Sequence, residues 1–148
     1  MFCKVHSAES MSKEHGVWDM KSSSQTAFPF TYFKGEVKEG RIKYKMWTLR
    51  WNNKYFFLTP QKMAGGLWNI YVQMLGTREE CRRYRVTTTV EEEEKGLKQT
   101  SCSPPFPICE LSQDVQGLVV TDVAMREMLT KNQVGKDVFT VKLVFAVL

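Results

Sequence analysis

From Phe28 to the last residue the chain breaks into short apolar-rich runs separated by turn residues at intervals of about 8–12 residues, and this rhythm constrains the fold most. Runs that short, each ended by Gly, Asn or Pro, fit neither a helical bundle nor a parallel α/β sheet. They point to an all-β fold, an antiparallel sandwich with one short helix. The clearest run is Arg41-Ile42-Lys43-Tyr44-Lys45-Met46, where basic and apolar residues alternate without a break. A period of two places Ile42, Tyr44 and Met46 on one face of a strand and Arg41, Lys43 and Lys45 on the other. Lysines on the solvent face deter edge-to-edge pairing, so this strand is expected at or near a sheet edge.

The next elements follow by the same reasoning. Asn52-Asn53-Lys54 is a turn signal, and Tyr55 to Leu58 is a continuous apolar run, bounded by Thr59-Pro60, that should be buried on both faces. After Gly65-Gly66, Leu67 to Leu75 forms a strand with Trp68, Ile70 and Val72 in alternation. Tyr84 to Val90 forms another, and Asp137 to Leu148 closes the domain. Thr100 to Pro107 contains three prolines and is expected to be a loop or an edge segment. The one expected helix spans Asp122 to Lys131, capped by Thr121 or Asp122, with Met125, Met128 and Leu129 on one face and Lys131 near the negative end of its dipole. Thr77-x-x-Glu80 has capping-box spacing but is weak evidence for a helix. Met1 to Gln25 is polar and rich in small residues, so it reads as a linker, with the compact domain over 26–148.

A chain of 148 residues fits one domain, and 43% hydrophobic residues suffice for one core. No apolar run approaches the roughly 20 residues that span a bilayer; the longest, Val138 to Leu148, is interrupted by Lys142. The first residues lack a secretory apolar stretch, so a cytoplasmic location, shared with the nucleus, is expected and the four cysteines are expected to be thiols. Lys plus Arg number 21 against 16 Asp plus Glu, a balance of +5 concentrated in Lys34 to Lys54 and Arg78 to Arg85, while Glu91 to Glu94 form an acidic run. Solvated strand faces explain most of this; an acidic partner is the other reading. Cysteine–histidine catalysis would depend on His6 and His15, both in the leading segment, so no enzymatic activity is expected. No glycine pattern cradles phosphate. Tyr44, Trp47, Trp51 and Tyr55 interleave with basic residues as in single-strand binders, which keeps a basic sandwich binding nucleic acid or acidic protein surfaces as the alternative function.

Three stretches in order carry a family resemblance: Tyr71-Val72-Gln73-Met74-Leu75-Gly76-Thr77-Arg78; Gly117-Leu118-Val119-Val120-Thr121-Asp122-Val123-Ala124 followed by Met128-Leu129; and Phe139-Thr140-Val141-Lys142-Leu143. Over about Phe28 to Leu148 the chain resembles the substrate-binding domain of the seven-in-absentia ubiquitin ligases, a TRAF-like antiparallel β-sandwich. The resemblance implies a homodimer or a heterodimer with a RING ligase of the same family, and a groove that takes a degron of Pro-x-Ala-x-Val-x-Pro type as an added strand. Ile42, Tyr44 and Met46 fall on the groove positions. The Pro-Pro-Phe-Pro segment departs from the family's acidic and aromatic segment. Cysteines at 3, 81, 102 and 109 cannot supply the ligands of a RING, so ligase activity is not expected of this chain alone. Cys3 and His15 have a Cys-x11-His spacing similar to the end of the family's second zinc finger, but the CxxC half is missing and Asp19 stands where the second histidine is expected. Cys3, His6 and His15 give three donors at most, so no cofactor is expected, and zinc would enter only as part of a longer finger.

Overall fold

The computed structural model describes residues 16–110 and 115–148, which form two packed β-sheets. The first sheet has the spatial order β1 (Val17–Asp19), β4 (Trp47–Trp51), β5 (Lys54–Met63), β6 (Leu67–Met74) and β10 (Leu118–Thr121). To it are added β3 (Arg41–Lys43), paired with β5, and β9 (Phe106–Pro107), paired with β6. In the second sheet β12 (Asp137–Val147) lies between β2 (Gln25–Thr31) and β7 (Tyr84–Glu92). There β8 (Leu97–Ser103) pairs with β7, and β11 (Thr130–Lys131) with β12. All pairings are antiparallel except β1 with β4 and β6 with β9. The all-β sandwich expected from the run lengths is what the chain forms.

Alternation sets the core. Phe56 and Leu58 of β5 and Trp68, Ile70, Val72 and Met74 of β6 face Phe28, Phe30, Val86, Val90, Phe139, Val141, Leu143 and Phe145 of the other sheet. Aromatic rings knit the layers, with Trp68 edge-on to Phe139 at 5.1 Å and Phe56 against Phe145 at 4.7 Å. β5 and β6 are buried on their second face as well. Asn69 Nδ2 donates to Val115 O at 2.8 Å, Gly117 N–H donates to Asn69 Oδ1 at 2.9 Å, and Gln73 Nε2 donates to Glu110 O at 3.2 Å, so Glu110 and residues 115–117 lie over that face. A Cβ at Gly117 would sit 2.2 Å from Ile70 O, which fixes glycine at the closest approach.

The structure departs from the sequence expectations at several elements. β1 pairs with β4 through Val17↔Thr48, and Val17 and Met20 are 1% and 5% exposed, so residues 16–25 belong to the sandwich and the boundary at 26 lies too late. β5 continues through Pro60 to Met63, because the position of Pro60 in the ladder tolerates the missing N–H, as shown below. Of the two expectations for Thr100 to Pro107 the edge segment holds: Thr100 to Ser103 complete β8, an edge strand, and only Pro104-Pro105 interrupt the chain before β9. The capping box forms in full, and a helical turn, α1 (Arg78–Cys81), adds a second short helix. The expected helix is α2 (Asp122–Glu127), capped by the Thr121 side chain; it stops at Met128 because Thr130 and Lys131 pair with β12 instead. Lys131 meets Asp137 at 2.7 Å rather than the helix end.

Candidate functional site

Residues 41–51 run along one edge of β5 in two pieces. In the first, Arg41 opposes Met63 and Lys43 opposes Gln61; in the second, Trp47 opposes Leu58. Three residues, 44–46, therefore face two, Thr59 and Pro60, which is the count of a β-bulge. Pro60 accounts for its position. Tyr44 N–H donates to Pro60 O at 3.0 Å, but proline has no N–H to return to the Tyr44 carbonyl, so the ladder is released there. Beyond the bulge the pairing resumes one residue out of step.

The bulge divides the outer edge of the sheet. Along β4 that edge is filled by β1, an added strand of three residues. Along β3 it is open among the described residues, since β3 pairs only with β5. Alternate residues of a strand turn their amides to the same side. Tyr44 and Ile42 face β5, so the N–H and C=O groups of Arg41 and Lys43 point to the open edge.

The three residues singled out by alternation occupy different environments. Ile42 is 41% exposed beside this edge. Tyr44, half-buried, packs against the core, with its ring 5.9 Å from Phe30, 5.8 Å from Trp68 and 6.0 Å from Phe139. Its hydroxyl donates to Thr31 O, and burial pushes its pKa up to about 12. Met46 lies in the bulge, half-buried. The strand expected to run unbroken from Arg41 to Met46 ends at Lys43, and Tyr44 is half-buried, with its ring packed against the core.

A buried polar cluster fixes the chain that leads into β3. Asp122, 6% exposed, accepts from Tyr32 Oη at 2.7 Å, Trp68 Nε1 at 2.9 Å, and Arg126 at 3.0 and 2.7 Å. Lys62, 5% exposed, has its Nζ 3.5 Å from the same carboxylate and donates to Phe33 O and Gly35 O at 3.0 Å each. Burial pushes the Asp122 pKa up, but hydrogen bonds from Trp68, Tyr32 and Arg126 and the Lys62 charge outweigh it and hold the carboxyl below its ordinary value. Burial and the same carboxylate push the Tyr32 hydroxyl up. Sequence reasoning missed this cluster, because a lysine beyond a proline reads as surface. Its function here is positional: Lys62 pins the connector from Tyr32 to Gly40 against the sheet.

Cys81 is buried, whereas Cys102 and Cys109 are exposed; all three are free thiols. Among the described residues no group of three His, Cys, Asp or Glu side chains is placed to hold a metal. Cys3, His6 and His15 lie outside the described residues. No helix among the described residues is long and apolar enough to cross a membrane. No protein-family model matches the sequence, and no curated protein matches it.

Proposed function

We propose that this sandwich is a substrate-recognition or adaptor module of ubiquitin-dependent degradation that captures an extended degron peptide as an extra strand on β3, paired with a RING ligase of the seven-in-absentia type. The observation that carries the reading is the divided edge: one stretch of it already accepts β1, and the adjoining stretch at Arg41–Lys43 is unpaired, with its amides pointing outward. Backbone pairing there supplies affinity, and side-chain pockets on alternate positions supply specificity. The resemblance at Gly76-Thr77-Arg78 and Gly117 to Leu143 supports the assignment to the pathway.

The test is fluorescence anisotropy of a labelled Pro-Gln-Ala-Gln-Val-Gln-Pro peptide at two salt concentrations. Binding near micromolar, about −8 kcal/mol, is expected to survive added salt. Two variants examine the edge. Lys43→Pro removes an outward N–H without touching the β5 ladder, and Ile42→Asp alters an exposed neighbour. Each is expected to weaken binding at least tenfold while the melting temperature stays near wild type. Failure of the folded wild-type chain to bind would remove the degron reading. Binding that collapses steeply with salt would instead favour the basic sandwich acting on nucleic acid.

A further inference from the structure

We infer that the strand added at β3 belongs to an acidic partner: an extended peptide whose carboxylates alternate with apolar side chains. This rests on the strand-addition reading and adds the chemistry of the occupant. Arg41 and Lys43 share the face of the sheet away from the core, and Lys45, beyond the inward Tyr44, is exposed. Among the described residues none of the three has an acidic partner. Other cations, such as Lys38, Arg82 and Lys98, share that state, and what sets these three apart is their place along an open strand edge.

The sheet beside the three cations offers them no acid. Met63 and Gln61 oppose Arg41 and Lys43 on β5, and Leu67 and Asn69 lie opposite those on β6. An added strand would supply what is missing. Residues two apart in a strand are roughly 7 Å apart, so a peptide with carboxylates at alternate positions matches Arg41 and Lys43 one for one, with Lys45 just beyond in the bulge. Directly opposed side chains lie about 5 Å apart at Cβ, within reach of an ion pair. The peptide's intervening side chains fall on the other face, beside the exposed Ile42, where apolar groups fit. A polynucleotide would also neutralise the row. It has no amides to pair with the open edge, so the peptide is favoured.

Three labelled peptides on the frame Pro-x-Ala-x-Val-x-Pro, with x as Glu, Gln or Lys, test the inference by anisotropy. The Glu peptide is expected to bind about tenfold tighter than the Gln peptide at 50 mM salt and about twofold tighter at 500 mM, with the Lys peptide weakest. In the triple variant Arg41→Gln, Lys43→Gln, Lys45→Gln the Glu-over-Gln ratio is expected to fall to about one. Equal binding of Glu and Gln peptides by the wild type overturns the acidic preference and leaves strand addition standing. If no peptide binds, both fall. Displacement of the Glu peptide by a short oligodeoxythymidine of matched charge also overturns the inference, since the row would then be a site for any polyanion.

Discussion

Asp122→Ala should be among the most damaging single substitutions in this fold, and its cost can be worked from the cluster. The change removes the acceptor of the fully buried Trp68 N–H and leaves the Lys62 ammonium without its counter-charge, though Lys62 keeps the Phe33 and Gly35 carbonyls. Breaking a buried pair from one side costs about 3–5 kcal/mol, and the exposed Arg126 adds little, so about 4 kcal/mol is expected. For a domain of this size that is a fall of about 10–15 °C in melting temperature. Asp122→Asn keeps an oxygen for Trp68 and Tyr32 and should cost about half as much. Adding Lys62→Met to it should cost at least about 1 kcal/mol less than the two single losses summed, because the buried cation leaves with its partner. Urea unfolding followed by tryptophan fluorescence reads each value, with an unchanged slope confirming one unfolding reaction. The pH dependence has a definite sign. The Asp122 pKa is depressed in the folded state, so its contribution is complete above the unfolded value near 3.9 and is lost as pH falls through the folded one. The gap between wild type and Asp122→Asn should therefore close below about pH 4. An Asp122→Ala variant within about 1 kcal/mol of wild type would refute the reasoning.

Three further outcomes follow from local geometry. Gly117→Ala drives a Cβ into Ile70 O at 2.2 Å and Tyr71 Cα at 2.8 Å, so a loss of about 3 kcal/mol is expected, with faster hydrogen exchange at Ile70 and Tyr71 as the covering segment lifts. At Asn52-Asn53 both φ angles are positive, +52° and +59°, as a two-residue type I′ hairpin requires. Asn53→Gly should therefore stabilise by about 0.5 kcal/mol and Asn53→Val destabilise by about 1–2 kcal/mol in the same urea assay. Burial pushes the Cys81 thiol up to about 11, so mass spectrometry after brief alkylation should find Cys102 and Cys109 modified and Cys81 protected until the chain unfolds.

The strands were legible because alternation and turn chemistry act locally. Asn52-Asn53, Gly65-Gly66 and the Thr121 cap each sit where their backbone preferences place them. What escaped depends on contacts distant in sequence. Val17 to Met20 is too short a run to stand out among polar neighbours, yet the β4 edge orders it. Lys62 is buried only because the connector at Phe33 and Gly35 and the carboxylate of Asp122 converge on it from 27 to 60 residues away. Asn69, Tyr71 and Gln73 look like solvent positions by alternation but are covered by a later segment. In the sequence Pro60 looks like the end of a strand. In the fold it marks where the neighbouring strand bulges, which alternation along residues 41–46 alone does not reveal.

The same row of cations that would select an acidic peptide also explains how the sheet can leave an edge open. An unpaired edge is a template for a second copy of itself, and proteins protect such edges with short strands, bulges and charges. Here all three devices coincide: β3 has three residues, the bulge follows at once, and Arg41, Lys43 and Lys45 line the edge. Two copies pairing antiparallel through β3 would bring the cations of one row against those of the other, whereas an acidic strand would be attracted. Exclusion of self and admission of a partner thus reduce to one difference in charge, which is how specificity by repulsion works. Replacing the three cations by threonine keeps strand propensity and removes the repulsion. In sedimentation velocity the variant should show a concentration-dependent rise in average mass above that of wild type, suppressed when Lys43→Pro takes the place of Lys43→Thr in it. An average mass equal to wild type at every concentration would mean that shortness and the bulge protect the edge without help from charge.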